Sequence, residues 1–421
     1  MAHLGRGVAI IGAGYAGMAA AVSLAERGVR VTVLESAAVP GGRARRIESQ
    51  GHALDNGQHI LIGAYSALYQ LMRMVGVAVN AVLRVPLEVR YAERFHFRRG
   101  AFGLAGGLLT ARGIPLAERL GAARFIARLR RARFRLAADT NVSDLLAREN
   151  QSGRIGHYLW RPLCVSALNT PPELASANVF LAVLRDTLGA GAAASDLVLP
   201  RVDLSRLFPE PAVEFVRAHG GEVRLQAPVR DLGALRQEFD HVIVAVGPHQ
   251  LKTVVPDAPE YSYQPIYTCY LQYADNVRLP FPMLGLAEGL VQWVFDRGAL
   301  LGENGRLACV ISAQGDHQQM TLEEIAERCH RELAAALGAL GKPQWWRVIA
   351  EKRATITCSP GIKQRNALPS IPGVSFAGDY TDPEYPPTLE AAVRSGVRAA
   401  SSVSELMRYR RNTMGEDASN G

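Results

Sequence analysis

Residues 8–35 read VAIIGAGYAGMAAAVSLAERGVRVTVLE. A short apolar run meets Gly12, Gly14 and Gly17 at GxGxxG spacing. An Ala-rich stretch of helical composition follows, then a second apolar run ending in Glu35. This order predicts a strand, a tight turn, a helix and a second strand, the unit that grips a dinucleotide. Gly12 frees the turn, Gly14 lets a pyrophosphate approach the backbone, and Gly17 lets the helix pack close to the strand. Ala16, inside the same turn, belongs with them. Backbone N–H groups and the positive helix end would hold the phosphates. Glu35, about 20 residues on, would accept from adenosine ribose hydroxyls and favours an unphosphorylated ribose, so FAD or NAD over NADP.

Two further stretches bear on which dinucleotide. GGRARR at 41–46 follows the second strand. Gly41 and Gly42 would let the loop pass the nucleotide, and Arg43 offers a planar fork to pyrophosphate oxygens. The plainer alternative is a solvated basic loop. Far along the chain, FAGDYTDPEYPPTLEAAVRSG at 376–396 reads as strand, turn and helix. Asp379 would accept from ribityl hydroxyls, and a helix starting near Thr388 would aim its N–H groups at the flavin O2, where charge grows on reduction. Together these favour FAD.

Composition bounds the rest. The chain has 421 residues, 48% hydrophobic and 20% charged, which excludes a disordered or fibrous build. No run of about 18 apolar residues escapes a charge or breaker. The opening MAHLGRGVAIIGAG makes a poor signal peptide, because its apolar stretch runs straight into a glycine turn. Net charge is +8, yet Lys252, Lys342, Lys352 and Lys363 are the only lysines among 47 basic residues. No zinc-finger or RNA-binding signature accompanies the arginines, so nucleic acid is not expected, whereas a phosphate-bearing ligand or a membrane surface is compatible. Cys164, Cys269, Cys309, Cys329 and Cys358 are dispersed without a CxxC pair. That argues against a disulfide framework or a metal site and suits a reducing cytoplasm.

The fold class expected is α/β: a discontinuous Rossmann-type FAD-binding domain with a second, substrate domain of antiparallel sheet plus helices. The FAD-binding domain is expected from 1–85, 201–250 and 371–412, the substrate domain from 86–200 and 251–370, and a flexible tail over 413–421. GEVRLQAPVRDL and DHVIVAVGP would return strands to the first sheet. PIYTCYLQYA, GLVQWVFDRG and GRLACVISA would form the antiparallel sheet. A helix over 321–338 opens at Thr321 with Glu324 three residues on, a capping-box pattern. Helices with short breaks are expected over 101–140.

GAGYAG with Glu35, GGRARR, and AGD before a Pro-Thr-Leu-Glu helix resemble the shared marks of the FAD-dependent amine oxidase and phytoene desaturase superfamily. Within it, DNGQHILIGAY at 55–65, ALNTPPELASA at 167–177 and ASDLVLPR at 194–201 resemble the squalene-associated FAD-dependent proteins of bacterial hopanoid pathways, the hydroxysqualene dehydroxylases. The resemblance implies that Gly12, Gly14, Gly17, Glu35, Gly42 and Arg43 bind the ADP half. It places Val229 at the adenine, Gly378 and Asp379 at the ribityl chain, Thr388 and Leu389 at the flavin O2, and Gly57, Gln58 and His59 beside the flavin ring. It implies reduction of hydroxysqualene to squalene by flavin hydride with loss of water. Asp55 and His59 are then the candidate acids for the departing hydroxyl, the alternative being a turn-forming Asp55 and a cofactor-bonding His59. A polyisoprene desaturase or an amine oxidase are the runner-up activities. Upstream enzymes of the squalene pathway are implied partners, and a cytoplasmic protein peripheral on the inner membrane face is the implied location.

Tyr263, Tyr267, Tyr270, Tyr273, Trp293 and Phe295 would supply an apolar pocket, or ordinary core. Residues 119–135, RLGAARFIARLRRARFR, would form a basic amphipathic helix, either lying on an anionic membrane or packing its apolar side inward. Cys358 stands where some amine oxidases attach flavin, but TCSPG does not otherwise match, so FAD is expected to bind non-covalently.

Overall fold

The computed structural model describes residues 6–91, 95–98, 107–108, 110–189, 191–286, 288–338, 340–362 and 367–419. Five short strands form a parallel sheet in the order Glu222–Arg224, Val31–Leu34, Val8–Ile11, His241–Val244, Val374–Phe376. Val8–Ile11 lies at its centre and is wholly buried, as a strand covered on both faces must be. In register, Val8 faces Val31 on one side and His241 on the other.

Helix Tyr15–Ala25 is buried along its whole length. A helix apolar all round has to be covered all round. It packs close to the sheet at Gly17, where a Cβ would overlap the Gly12 carbonyl oxygen, and against helix Leu389–Ser419 at Gly396, where a Cβ would overlap the Ala16 carbonyl. The latter helix runs to Ser419, through most of the stretch expected as a flexible tail. With no proline to stop it, a nucleated helix propagates residue by residue.

The second sheet is antiparallel, in the order Met283–Gly285, Trp293–Asp296, Arg306–Ser312, Tyr263–Gln272, Trp345–Ile356. Asp296 ends its strand by capping helix Arg297–Leu301, accepting from the Ala299 N–H at 2.9 Å. That is why the final RG of GLVQWVFDRG is helical rather than strand. Trp345–Ile356 was not legible as a strand, since its second half carries Glu351, Lys352 and Arg353 and sits at the sheet edge. Helix Leu322–Leu337, with the Thr321–Glu324 capping box, covers one face.

The strand period of two splits the aromatic residues. Tyr267 and Tyr273 pack under that helix, while Tyr270, Trp293 and Phe295 enter the core on the opposite face. Tyr263 packs beside the parallel sheet. The expected aromatic pocket is therefore ordinary core: Tyr270 Oη donates to the Asp55 carbonyl at 2.9 Å and Trp293 Nε1 to Ser166 Oγ at 2.8 Å.

Smaller elements join the sheets. Arg46–Ser49 pairs with His52–Asp55, and Leu61–Ile62 and Val82–Val85 flank Leu197–Pro200. Helices Leu116–Arg131, Val142–Arg148, Arg161–Leu168 and Ala177–Gly189 pack on the antiparallel sheet. Part of the helical stretch expected over 101–140 (101–106 and 109) lies outside the described residues. Helix Leu116–Arg131 turns Ala122, Phe125, Ile126 and Leu129 inward and leaves Arg124, Arg128, Arg130 and Arg131 exposed. Among the described residues no helix is long and apolar enough to cross a membrane, and no His, Cys, Asp and Glu cluster could hold a metal ion. All five cysteines are buried and free.

Candidate functional site

A cleft of about 540 Å³ runs along the carboxyl ends of the parallel strands, where open α/β sheets bind ligands. Gly12, Gly14, Ala16, Glu35, Gly42, Arg43, Gly57, Gln58, His59, Val229, Gly378, Asp379, Thr388 and Leu389 all line it. The segments that supply them are far apart in sequence and meet because the parallel sheet interleaves both chain ends. Of the expected cofactor positions, Gly17 alone stands back from the lining, and its contribution is the close helix packing described above.

Gly12 has φ +106°, and a Cβ there would sit 2.8 Å from the Ala245 carbonyl oxygen, so the turn requires glycine. Glu35 is a hub of this turn. One carboxylate oxygen accepts from the Ala13 N–H at 2.7 Å, and the other accepts from the Ala37 N–H at 2.8 Å. The acid thus ties the glycine turn to the end of the second strand, and it lines the cleft.

Arg43 and Asp379 meet each other. Arg43 Nη2 donates to Asp379 Oδ1 at 2.6 Å, and Nη1 donates to the Ala354 carbonyl at 2.7 Å. Two of the five guanidinium donors thus close GGRARR onto the AGD turn and the antiparallel sheet, and Arg43 also lines the cleft. The guanidinium pKa is raised by Asp379 in spite of the opposing effect of burial, which is the largest. Among the described residues nothing donates to Asp379 Oδ2, and Asp379 lines the cleft. Thr388 caps the last helix, its Oγ1 accepting from the Ala391 N–H at 3.2 Å.

His59 Nδ1 lies 2.8 Å from the Gly57 carbonyl. A carbonyl only accepts, so Nδ1 carries a hydrogen and Nε2 is the free ring nitrogen of the neutral form. Burial lowers the His59 pKa, with Arg43 adding to it and the Gly57 bond opposing it.

Asp55 is displaced from its expected role. It does not line the cleft: Oδ1 accepts from the Leu204 N–H at 2.9 Å, and Oδ2 accepts from Arg297 Nη1 at 3.2 Å. A carboxylate held between a backbone amide and a buried guanidinium anchors its strand and is out of reach of a ligand in the cleft. Cys358 is buried and likewise absent from the lining.

Sequence reading missed three features. Tyr380 lines the cleft with its hydroxyl buried and unpartnered among the described residues. Its place beside Asp379 in AGDY was the available signal. Glu390 caps helix Ser66–Met74 through the Ala67 and Leu68 N–H groups, at 3.0 and 2.9 Å. Arg297, in an unremarkable FDRG run, is 1% exposed and links Asp55, Gln58 and Glu303.

The residues present fit FAD. The glycine turn, Glu35 and Asp379 line the cleft at separate places along its length, with the two carboxylates available as acceptors for cofactor hydroxyls. The sequence profile of the flavin containing amine oxidoreductase family matches residues 15–404. The chain is 29% identical to a hydroxysqualene dehydroxylase of Sinorhizobium fredii, covering 94% of this chain and 97% of that protein. It is 30% identical to a hydroxysqualene dehydroxylase of Rhodopseudomonas palustris, covering 94% and 98%. Among solved structures, an oxidoreductase from Methanosarcina mazei superposes with a TM-score of 0.72 at 15% identity, covering 94% of this chain and 99% of that one, which bears on the fold alone. The chain belongs to the flavin containing amine oxidoreductase family, an FAD-dependent oxidoreductase whose sequence groups with the hydroxysqualene dehydroxylases.

Proposed function

We propose that this protein removes the hydroxyl group of hydroxysqualene reductively, giving squalene and water. The observation that carries the reading is the near full-length likeness to hydroxysqualene dehydroxylases. Hydroxide leaves poorly, so the substrate oxygen needs a proton as the C–O bond breaks. The allylic carbon is then left cationic and takes a hydrogen with its electron pair. When bound and reduced, FAD supplies that hydride. The chain's own tasks are to hold the cofactor, exclude water and manage the proton.

Holding falls to the glycine turn, Glu35 and Val229 at one end and to Gly378, Asp379, Thr388 and Leu389 at the other. Gly57, Gln58 and His59 would lie beside the flavin ring. His59 is the proton-handling residue in this reading. With Nδ1 fixed on Gly57, Nε2 is the atom that would carry a proton to the substrate oxygen; burial lowers the His59 pKa and favours the neutral ring, so proton delivery from it would be strongest on the acid side. We assign 1–85, 201–250 and 371–412 to the FAD-binding domain and 86–200 and 251–370 to the substrate domain.

A squalene-sized substrate resides in lipid, and the exposed arginines of helix Leu116–Arg131 suit an anionic membrane surface. Phe125, Ile126 and Leu129 of that helix pack inward while Leu116 and Leu120 are exposed beside the arginines, so contact would be mainly electrostatic with two leucines able to touch the lipid. A cytoplasmic protein docked on the inner membrane face, receiving its substrate from upstream squalene-pathway enzymes, fits these features. The test is product analysis under anaerobic reducing conditions. Squalene formed from hydroxysqualene supports the reading. In parallel assays in air with the flavin oxidised, new conjugated double bonds in a polyisoprene, or peroxide from an amine, would replace it with a desaturase or an amine oxidase.

A further inference from the structure

A buried, fully engaged charge lies just outside the cleft lining and reaches it through one cleft residue. Arg297 opens the short helix after Trp293–Asp296, is 1% exposed, and spends its guanidinium on three partners. Nε and Nη2 donate to the two Glu303 carboxylate oxygens at 2.6 and 3.0 Å, a bidentate clamp that fixes the plane of the group. Nη1 donates to Asp55 Oδ2 at 3.2 Å and to Gln58 Oε1 at 3.3 Å. The face of the guanidinium rests on the Tyr270 ring, 5.2 Å from its centre, and Tyr270 in turn donates to the Asp55 carbonyl. Arg306 closes the network on the far side of Glu303 at 2.9 Å.

Gln58 is the member of this network that lines the cleft. Arginine has no acceptor, so the Gln58 amide must present its oxygen to Arg297. That orientation turns the NH2 group away from Arg297, and no described residue accepts from it. We propose that Arg297 is a positioning residue that holds the Gln58 NH2 group as a fixed hydrogen-bond donor to the flavin ring. The inference rests on the reading that the ring lies beside Gly57, Gln58 and His59. A donor set in advance stabilises whichever redox form of the ring carries more negative charge, which is the reduced form. Lysine at 297 keeps the charge but cannot clamp Glu303 with two nitrogens while reaching Asp55 and Gln58.

The experiment measures the flavin midpoint potential and visible spectrum of the holoprotein for wild type, Q58L, R297K and the double variant. E303Q, which loosens the same guanidinium while keeping Arg297, is measured in parallel in case R297K fails to fold. Q58L is expected to lower the reduced-to-oxidised ratio at fixed potential about tenfold, ~30 mV for a two-electron couple. R297K or E303Q shifts it in the same direction, and R297K adds nothing once Gln58 is leucine. Q58L shifting while R297K and E303Q match wild type overturns the role of Arg297 and leaves the ring placement standing. Fully additive shifts overturn it as well. Q58L without any shift removes the ring from residues 57–59, and both the placement and the inference fall.

Discussion

Replacing Glu35 by glutamine is the sharpest probe of the cofactor cleft, because the two residues differ by one atom and one charge. Both Glu35 oxygens are taken by backbone donors, the Ala13 N–H at 2.7 Å and the Ala37 N–H at 2.8 Å, and the side chain is buried. Glutamine brings one oxygen and one NH2 group. Whichever way the amide turns, one of those backbone N–H groups faces a donor. A buried donor left unpaired costs about 1–3 kcal/mol, and loss of the charge weakens the surviving bond. E35Q should therefore unfold at lower temperature even as apoprotein. It should also bind FAD roughly tenfold to a hundredfold more weakly, since a charged acceptor for ribose hydroxyls is worth about 1.5–3 kcal/mol. Thermal melts of the apoprotein and flavin-fluorescence titration give the two readings separately. E35D, which keeps the charge on a shorter arm, should fall between wild type and E35Q. An E35Q protein with wild-type melting and wild-type FAD affinity would refute the argument at its base.

Three other outcomes follow from the same geometry. G17A should lose bound FAD and stability together, by about 1–3 kcal/mol or more, because the new methyl must push helix Tyr15–Ala25 off the Gly12 carbonyl; flavin content and melting temperature of the purified variant check this. The lowered pKa of His59 makes a pH prediction. Above the ordinary histidine value of about 6.5 the ring is neutral in both folded and unfolded chains, and nothing is lost. As pH falls below it the unfolded chain takes the proton first, so folded stability drops until the lowered folded value is reached. His249 and His317 shift in the same direction, so the His59 share is the part of the acid-side loss that H59Q abolishes in thermal melts. Finally, reversing the charge of Arg124, Arg130 and Arg131 should abolish flotation with anionic vesicles while leaving FAD content intact; equal, salt-insensitive flotation of both proteins would count against electrostatic docking.

What could be read in the sequence was local. GxGxxG followed by a helix and an acid is decided within one strand–helix–strand unit, and the Thr321–Glu324 box within one helical turn. The parallel sheet was legible because its three inner strands, Val8–Ile11, Val31–Leu34 and His241–Val244, are short and mostly apolar with turn residues beside them. What escaped depends on closure between distant segments. Arg43 reads as an unengaged fork until Asp379 is brought within 2.6 Å of it. Asp55 reads as a free acid until Leu204 and Arg297 arrive from elsewhere in the chain. Arg297 carries no motif at all, and its burial is visible only once three segments have folded around it. The aromatic residues of Tyr263–Gln272 looked like one wall because composition ignores alternation, and the strand period deals them to opposite faces.

The central claim is that the cleft between the two ends of the chain holds a flavin that reduces an allylic alcohol. The most direct measurement mixes the reduced holoprotein with hydroxysqualene in the absence of oxygen and follows the flavin absorbance. The oxidised spectrum should return, with one squalene formed for each flavin reoxidised. A flavin that stays reduced in the presence of the alcohol, or that reoxidises without squalene, contradicts it.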